Sequence, residues 1–406
     1  MEQTRNCPQC GQPIPPDRSS CPRCNPTARW LVASREHVLL LSFPVLLAMF
    51  VVTGFAARSY HAKQAALAVE WHLRGEADLK EGRAEQAIED FRTALVYSRD
   101  SALYRLRLAQ ALIAASRADE ARAYLLTLWE REPGNGTVNL ELARLAAGKG
   151  DIGEAARYYH NAIFGVWEEN PEERRRQVRL ELCQLLVNRG ARNEAQAALI
   201  ELAGDLPKDP ELYSRVGGLF LRTEDYAHAL KMFRQALALD RKQEPALGGA
   251  GEAAFQMGNY AEARRYLERA VRVDSENARA VQLLDTANLV LEIDPFARGV
   301  SASARARRVV RAFRQALERL RGCAQKRSEV LEGPPPLTEL QTLFAHASEM
   351  RSKVRESSLR RDSELMLSAT HLVFEIEEFA VRTCGPVSGL DLALLLIGRK
   401  REGAES

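Results

Sequence analysis

A period of 34 residues runs through the middle of the chain, and it limits the possible folds more than any other feature. The register holds from Ala68, Ala102 and Gly136, skips a few residues at 170–175, and resumes from Arg176, Pro210 and Glu244. Position 20 is alanine in every copy: Ala87, Ala121, Ala155, Ala195, Ala229 and Ala263. Position 8 is small throughout: Gly75, Ala109, Ala143, Cys183, Gly217 and Gly251. Position 24 is bulky: Phe91, Leu125, Tyr159, Leu199, Phe233 and Leu267. Two antiparallel helices approach closely only where small residues face the crossing, and bulky ones must fill the space towards the next pair. A single pair cannot bury its apolar face, so the pairs must stack. The composition agrees: Ala, Leu, Arg and Glu dominate, which are strong helix formers. The pattern predicts an all-α solenoid over 68–294, with Ala278 to Leu291 as a closing helix.

These residues resemble the tetratricopeptide repeat family, with Trp71 matching its early tryptophan and Pro133 and Pro207 its late proline. The resemblance implies capture of a protein or peptide segment in a concave groove lined by first helices. By that analogy the groove would be formed by Leu106, Gln110, Arg144, Leu180, Gln184, Asn188, Leu221, Arg222 and Gln256. Amide side chains of this kind can hydrogen-bond a peptide backbone without demanding one side chain. The Lys/Asn clamp that some co-chaperones of the family use on a terminal carboxylate is missing, because His72 and Glu76 stand at its early positions.

Four of the seven cysteines fall in the first 24 residues, as Cys7-Pro8-Gln9-Cys10 and Cys21-Pro22-Arg23-Cys24. Cysteines two residues apart grip one ion from a tight turn, and four thiolates complete the tetrahedron that Zn²⁺ prefers. A segment of this length, 1–28, cannot bury a core, so the metal would provide its folding energy. It resembles the zinc ribbons at the N-termini of many bacterial membrane-anchored proteins, on Cys7, Cys10, Gly11, Cys21 and Cys24. Four protein ligands leave no open coordination position, which implies a structural Zn²⁺ and not a catalytic one.

After a juxtamembrane linker at 29–36, the stretch 37–58 contains VLLLSFPVLLAMFVVTGFAA, free of charge from Val38 to Ala57. At 1.5 Å per residue it spans roughly 30 Å, the thickness of a bilayer's hydrocarbon core. A cleaved signal peptide is the alternative, but the cysteine module in front of it is unlike a short basic leader. Arg18, Arg23, Arg29 and Arg35 slightly outnumber the basic residues that follow, which leans towards a cytoplasmic N-terminus. Thiolates also persist better in a reducing cytosol. This places the module on the cytoplasmic side of an inner membrane and the repeats on the periplasmic side. The opposite threading, with repeats recruiting cytosolic partners, stays open.

The last part, 300–402, reads as a helical bundle packed on the final repeat: a basic helix over Arg305 to Arg321, two amphipathic helices over Leu337 to Leu359 and Asp362 to Arg382, and a short helix from Leu390. Cys323 and Cys384 could pair if this part is exported. Carboxylate pairs such as Glu172-Glu173 and Glu377-Glu378 read as surface ion-pair partners. No nucleophile turn, phosphate loop, dinucleotide fingerprint or paired-histidine zinc motif occurs, so the expectation is a scaffold and not an enzyme, with no small-molecule substrate evident. An unrecognised activity in the C-terminal segment is the alternative of another class. A net charge of +3 with few aromatics argues against nucleic acid as a partner.

Overall fold

The computed structural model describes residues 5–24, 27–334 and 336–405, with the side chains of 27–39, 41 and 402–405 excepted. The chain divides into two compact units, Met1–Gly165 and Val166–Ser406, where the sequence suggests one uninterrupted array. The division falls beside the register skip.

The first unit opens with two short strands, β1 (Arg5–Asn6) and β2 (Pro13–Ile14), paired antiparallel with Asn6 opposite Pro13. Helix α1 then runs unbroken over Thr27–Lys80, 54 residues or about 80 Å. It passes straight through the stretch expected as a linker at 29–36. It also joins the apolar segment to the first repeat, since nothing between 59 and 67 breaks a helix. From Phe43 to Phe55 its side chains are exposed, with Phe43, Phe50 and Phe55 at 70%, 76% and 76%. The Thr53 hydroxyl donates to the Met49 carbonyl at 2.8 Å, so this segment satisfies its own polar group. Among the described residues, α1 is the one helix long and apolar enough to cross a membrane.

The lower part of α1 pairs with α2 (Ala84–Tyr97) as the first repeat. Helices α3 (Ala102–Ala114) and α4 (Ala118–Arg131), then α5 (Gly136–Lys149) and α6 (Ile152–Phe164), form the next two. In the second unit, α7 (Pro171–Asn188) and α8 (Arg192–Ala203) form the fourth repeat. The register skip is absorbed as extra N-terminal turn in α7, which begins at Pro171 after Asn170 in a left-handed conformation. Helices α9 (Pro210–Arg222) and α10 (Tyr226–Leu239), then α11 (Glu244–Gln256) and α12 (Tyr260–Val273), complete six repeats.

Packing follows the periodic positions. All six alanines at position 20 are fully buried, as are Phe91, Leu125, Leu199 and Leu267 at position 24. A Cβ at Gly75 would come 2.8 Å from Phe91, one at Gly217 2.9 Å from Phe233, and one at Gly251 2.6 Å from Leu267. Position 8 is therefore small because the position-24 side chain of its own repeat occupies the space. Position 15 turns the chain between paired helices with a positive φ in every repeat, at Gly82, Ser116, Gly150, Gly190, Glu224 and Gly258.

Helix α13 (Ala278–Ile293) closes the array, and the chain continues into α14 (Ala302–Arg327), α15 (Glu339–Arg351), α16 (Glu356–Leu359), α17 (Ser363–Cys384) and α18 (Gly389–Glu405). The single amphipathic helix read over Leu337 to Leu359 is thus two, broken at 352–355. Helix α18 lies against α13 and places Lys400 over the Tyr260 ring, with its ammonium donating to the Gly258 carbonyl at 2.8 Å. The bundle is the cap of the second unit. Its helices α14 and α17 are joined by a Cys323–Cys384 disulfide with Cα atoms 5.5 Å apart, inside the normal range.

Candidate functional site

The four N-terminal cysteines come together. The Cys7 and Cys24 sulfurs lie 3.8 Å apart, those of Cys10 and Cys21 3.7 Å, and all four are within 4.8 Å of one another. A tetrahedron with metal–sulfur bonds of ~2.3 Å has edges of roughly 3.8 Å, so the donor set fits one ion. The local backbone explains the placement. Gly11 adopts φ +71° and returns its N–H to the Cys7 carbonyl at 2.8 Å, while the Cys7 N–H donates to the Gln12 carbonyl at 2.8 Å. This tight turn joins β1 to β2. Backbone N–H groups of Gln9 and Cys10 lower the Cys7 thiol to about 7. Cys24, hydrogen-bonded to Cys10 and partly desolvated, is pushed up to about 12. Four adjacent thiolates repel one another, and a divalent cation is what would let all four ionise together.

The nine groove residues divide between the two units. In the first, Leu106 is half-buried, and Gln110 and Arg144 belong to a polar ladder across three first helices. Arg107 meets Glu76 at 2.8 Å and donates to Gln110 at 2.9 Å, Gln110 donates to Glu141 at 3.0 Å, and Arg144 approaches Glu141 at 3.6 Å. In the second unit, Arg222 donates to Asn188 at 2.9 Å, and Gln256 is exposed. Gln184 and Leu221 are half-buried. Leu180 departs from expectation: it is 8% exposed, in the same apolar core as Cys183, Leu199 and Leu202, and offers little to a ligand. The sequence hides these inter-repeat polar ties, because each joins residues about 30 positions apart that are unremarkable alone.

Glu377 corrects another expectation. Glu378 does face outward, paired with Arg399 at 3.1 Å, but Glu377 is 0% exposed. Neighbouring residues on a helix point about 100° apart, so one of such a pair can face the core. Neither Glu377 oxygen has a hydrogen-bond partner among the described residues. Nearby, Arg319 donates to the Gly385 carbonyl at 3.1 Å and lies 4.0 Å from Asp391, which also accepts from Gln315 at 2.7 Å. Burial, with the Asp391 charge adding to it, pushes Glu377 up to about 8, against the opposing pull of Arg319. Between roughly pH 4.5 and 8 the folded state holds a proton that the unfolded chain has released, so stability falls as pH rises through that window. Calorimetry of Glu377→Gln should show a smaller loss of melting temperature between about pH 5 and pH 8 than the parent shows. An identical loss would mean that Glu377 does not titrate there.

Stacked helix pairs with a repeating small-against-bulky register, closed by a helical cap, define an all-α protein of the tetratricopeptide-like solenoid class. Two stretches, 78–145 and 220–286, match the tetratricopeptide repeat family, and the chain carries these repeats. A comparison with curated proteins finds none that matches. Among solved structures, YrrB, described as a TPR protein with an unusual peptide-binding site, is 18% identical with a TM-score of 0.39, over 47% of this chain and 95% of that one. The C-terminal part of a TPR repeat-containing protein from Cytophaga hutchinsonii is 17% identical with a TM-score of 0.44, over 58% and 93%. PilW, described as a type IV pilus biogenesis factor, is 15% identical with a TM-score of 0.39, over 53% and 98%. Likenesses at this level say nothing of partners or ligands.

Proposed function

We propose that the chain is a membrane-anchored scaffold that holds protein or peptide segments on the first-helix surface of its repeats. One span, within the apolar part of α1, fixes it in a cell membrane. A structural Zn²⁺ on Cys7, Cys10, Cys21 and Cys24 lies on the cytoplasmic side, and the repeats and C-terminal bundle lie on the other.

The observation that carries this reading is the opposed state of sulfur at the two ends of one chain. Four free thiols sit together before α1, and a Cys323–Cys384 disulfide ties the bundle after it. Clustered thiolates suit a reducing compartment and a structural disulfide an oxidising one. Between them lies an apolar helical segment whose described side chains from Phe43 to Phe55 are exposed. The scaffold part rests on the matched repeats and on exposed polar side chains such as Gln256 and Arg222.

Protease treatment of intact spheroplasts tests the threading. The repeats and bundle should be digested, with the N-terminal ribbon protected until the membrane is opened. Repeats that survive in intact cells and disappear only after permeabilisation would reverse the orientation. For the scaffold, a photo-crosslinking residue at Gln256 should give a discrete adduct and one at Lys231, on the second-helix side, should not. No adduct from Gln256, Gln184 or Leu106 would remove the groove as a docking surface.

A further inference from the structure

Some arginines on the second helices meet a glutamate of the next repeat: Arg122 pairs with Glu154 at 2.8 Å, and Arg234 with Glu262 at 2.5 Å. At the α10–α12 junction further arginines gather beside such a pair. Arg234, Arg241 and Arg269 all line one cleft of about 520 Å³, together with Leu237, Ala238 and Tyr266. Two guanidinium groups are held in place: Arg234 by Glu262, and Arg269 by the Arg241 carbonyl at 2.7 Å. The Arg241 guanidinium has no partner among the described residues. The adjacent Asp240 carboxylate accepts from the Lys242 N–H at 2.9 Å.

We infer that this cleft is a binding site for a phosphate monoester. Three guanidinium groups line the cleft and no carboxylate does, so it presents a positive surface that suits the roughly −1.5 to −2 charge of a phosphomonoester near neutral pH better than the single charge of a carboxylate. Guanidinium groups suit phosphate because their N–H pairs meet two oxygens at once. Anchoring of two of the three in advance reduces the side-chain freedom lost on binding. Leu237 and Ala238 supply an apolar wall for the carbon skeleton attached to the phosphate. That skeleton belongs either to a soluble phosphorylated metabolite or to a lipid bearing a terminal phosphate. The site does not depend on the membrane threading proposed above.

Titration calorimetry on the full-length chain in neutral detergent, at constant ionic strength, tests the site with inorganic phosphate. Saturable binding is expected, at least tenfold weaker in Arg241→Gln and in Arg269→Gln. Arg241→Gln disturbs no side-chain contact of the fold, so its loss cannot be assigned to unfolding. Lys231→Gln, exposed elsewhere on α10, should bind as the parent does. Glycerol 3-phosphate and dihexanoyl phosphatidic acid below its micellar concentration separate the two sources. Equal affinities indicate a soluble ligand, and at least tenfold tighter binding of the lipid indicates a headgroup. Absence of saturable phosphate binding, binding unaltered by both arginine variants, or acetate binding as tightly as phosphate would each overturn the assignment.

Discussion

Changing Cys10 and Cys24 together to serine is expected to unfold the N-terminal ribbon completely while leaving the melting of the repeats unaltered. Between residues 5 and 24 the only buried hydrophobic side chains are Cys7 and Cys21. The accompanying sheet is two residues wide on each strand, far too small to hold itself in water. Little else in this segment offsets the chain entropy lost on ordering it, so its fold depends on a metal. Structural zinc in a peptide of this size contributes on the order of 10–16 kcal/mol at neutral pH, so removing two ligands leaves no folded alternative. Bound metal should fall from about one ion per chain to none. Trypsin should then cut at Arg18 and Arg23, which the folded turns protect. The strands of this segment pair with each other, β1 against β2, so no change in the repeats is expected. A serine variant that keeps its metal and resists trypsin would refute the thiolate site.

Neighbouring glycines in α11 should respond with opposite sign. A Cβ at Gly249 would lie 2.2 Å from Cζ of Phe233 and 2.6 Å from both its Cε atoms. The ring is closely packed on α9 as well, since a Cβ added at Gly217 would come within 2.9 Å of it. Gly249→Ala gains up to about 1 kcal/mol of helix propensity, but overpacking costs about 1–3 kcal/mol, so destabilisation wins. Gly249→Val adds bulk in the same place and should cost more. At Gly248 the nearest atom to an added Cβ is 4.0 Å away, so Gly248→Ala keeps the propensity gain and stabilises. For a unit of this size each kcal/mol moves the melting temperature by about 2–4 °C. Phe233→Leu should partly rescue Gly249→Ala, a coupling that a double-mutant cycle measures. If Gly249→Ala were as stable as the parent, Phe233 would not occupy the space assigned to it.

Much of the repeat packing was legible because self-similarity removes ambiguity. One alanine means little, whereas alanine at position 20 in six aligned copies can only mark a crossing. The turn at position 15 carried the same signal at Gly82, Gly150, Gly190 and Gly258. Ser116 and Glu224 concealed it, since neither residue type announces a left-handed backbone. Four cysteines in two matching turns were readable for a similar reason: few chemistries need that spacing. What escaped notice depends on contacts between distant residues. The sequence does not say that Leu180 faces the core, that Glu377 turns inward while Glu378 turns out, or that Gln110 and Asn188 are engaged by neighbouring repeats. The continuity of α1 is concealed differently, because the stretches that one helix joins differ in composition.

That continuity has a mechanical consequence. A flexible tether would let the docking surface explore every bearing, but a rod transmits rotation. With 3.6 residues per turn, inserting one residue between 59 and 67 would swing the first repeat by about 100° relative to the Leu40–Phe55 end. The compass heading of the first repeat is thus set by how many residues separate it from the apolar end of α1, and in the proposed scaffold a ligand that twisted that repeat would turn Leu40–Phe55 by the same angle.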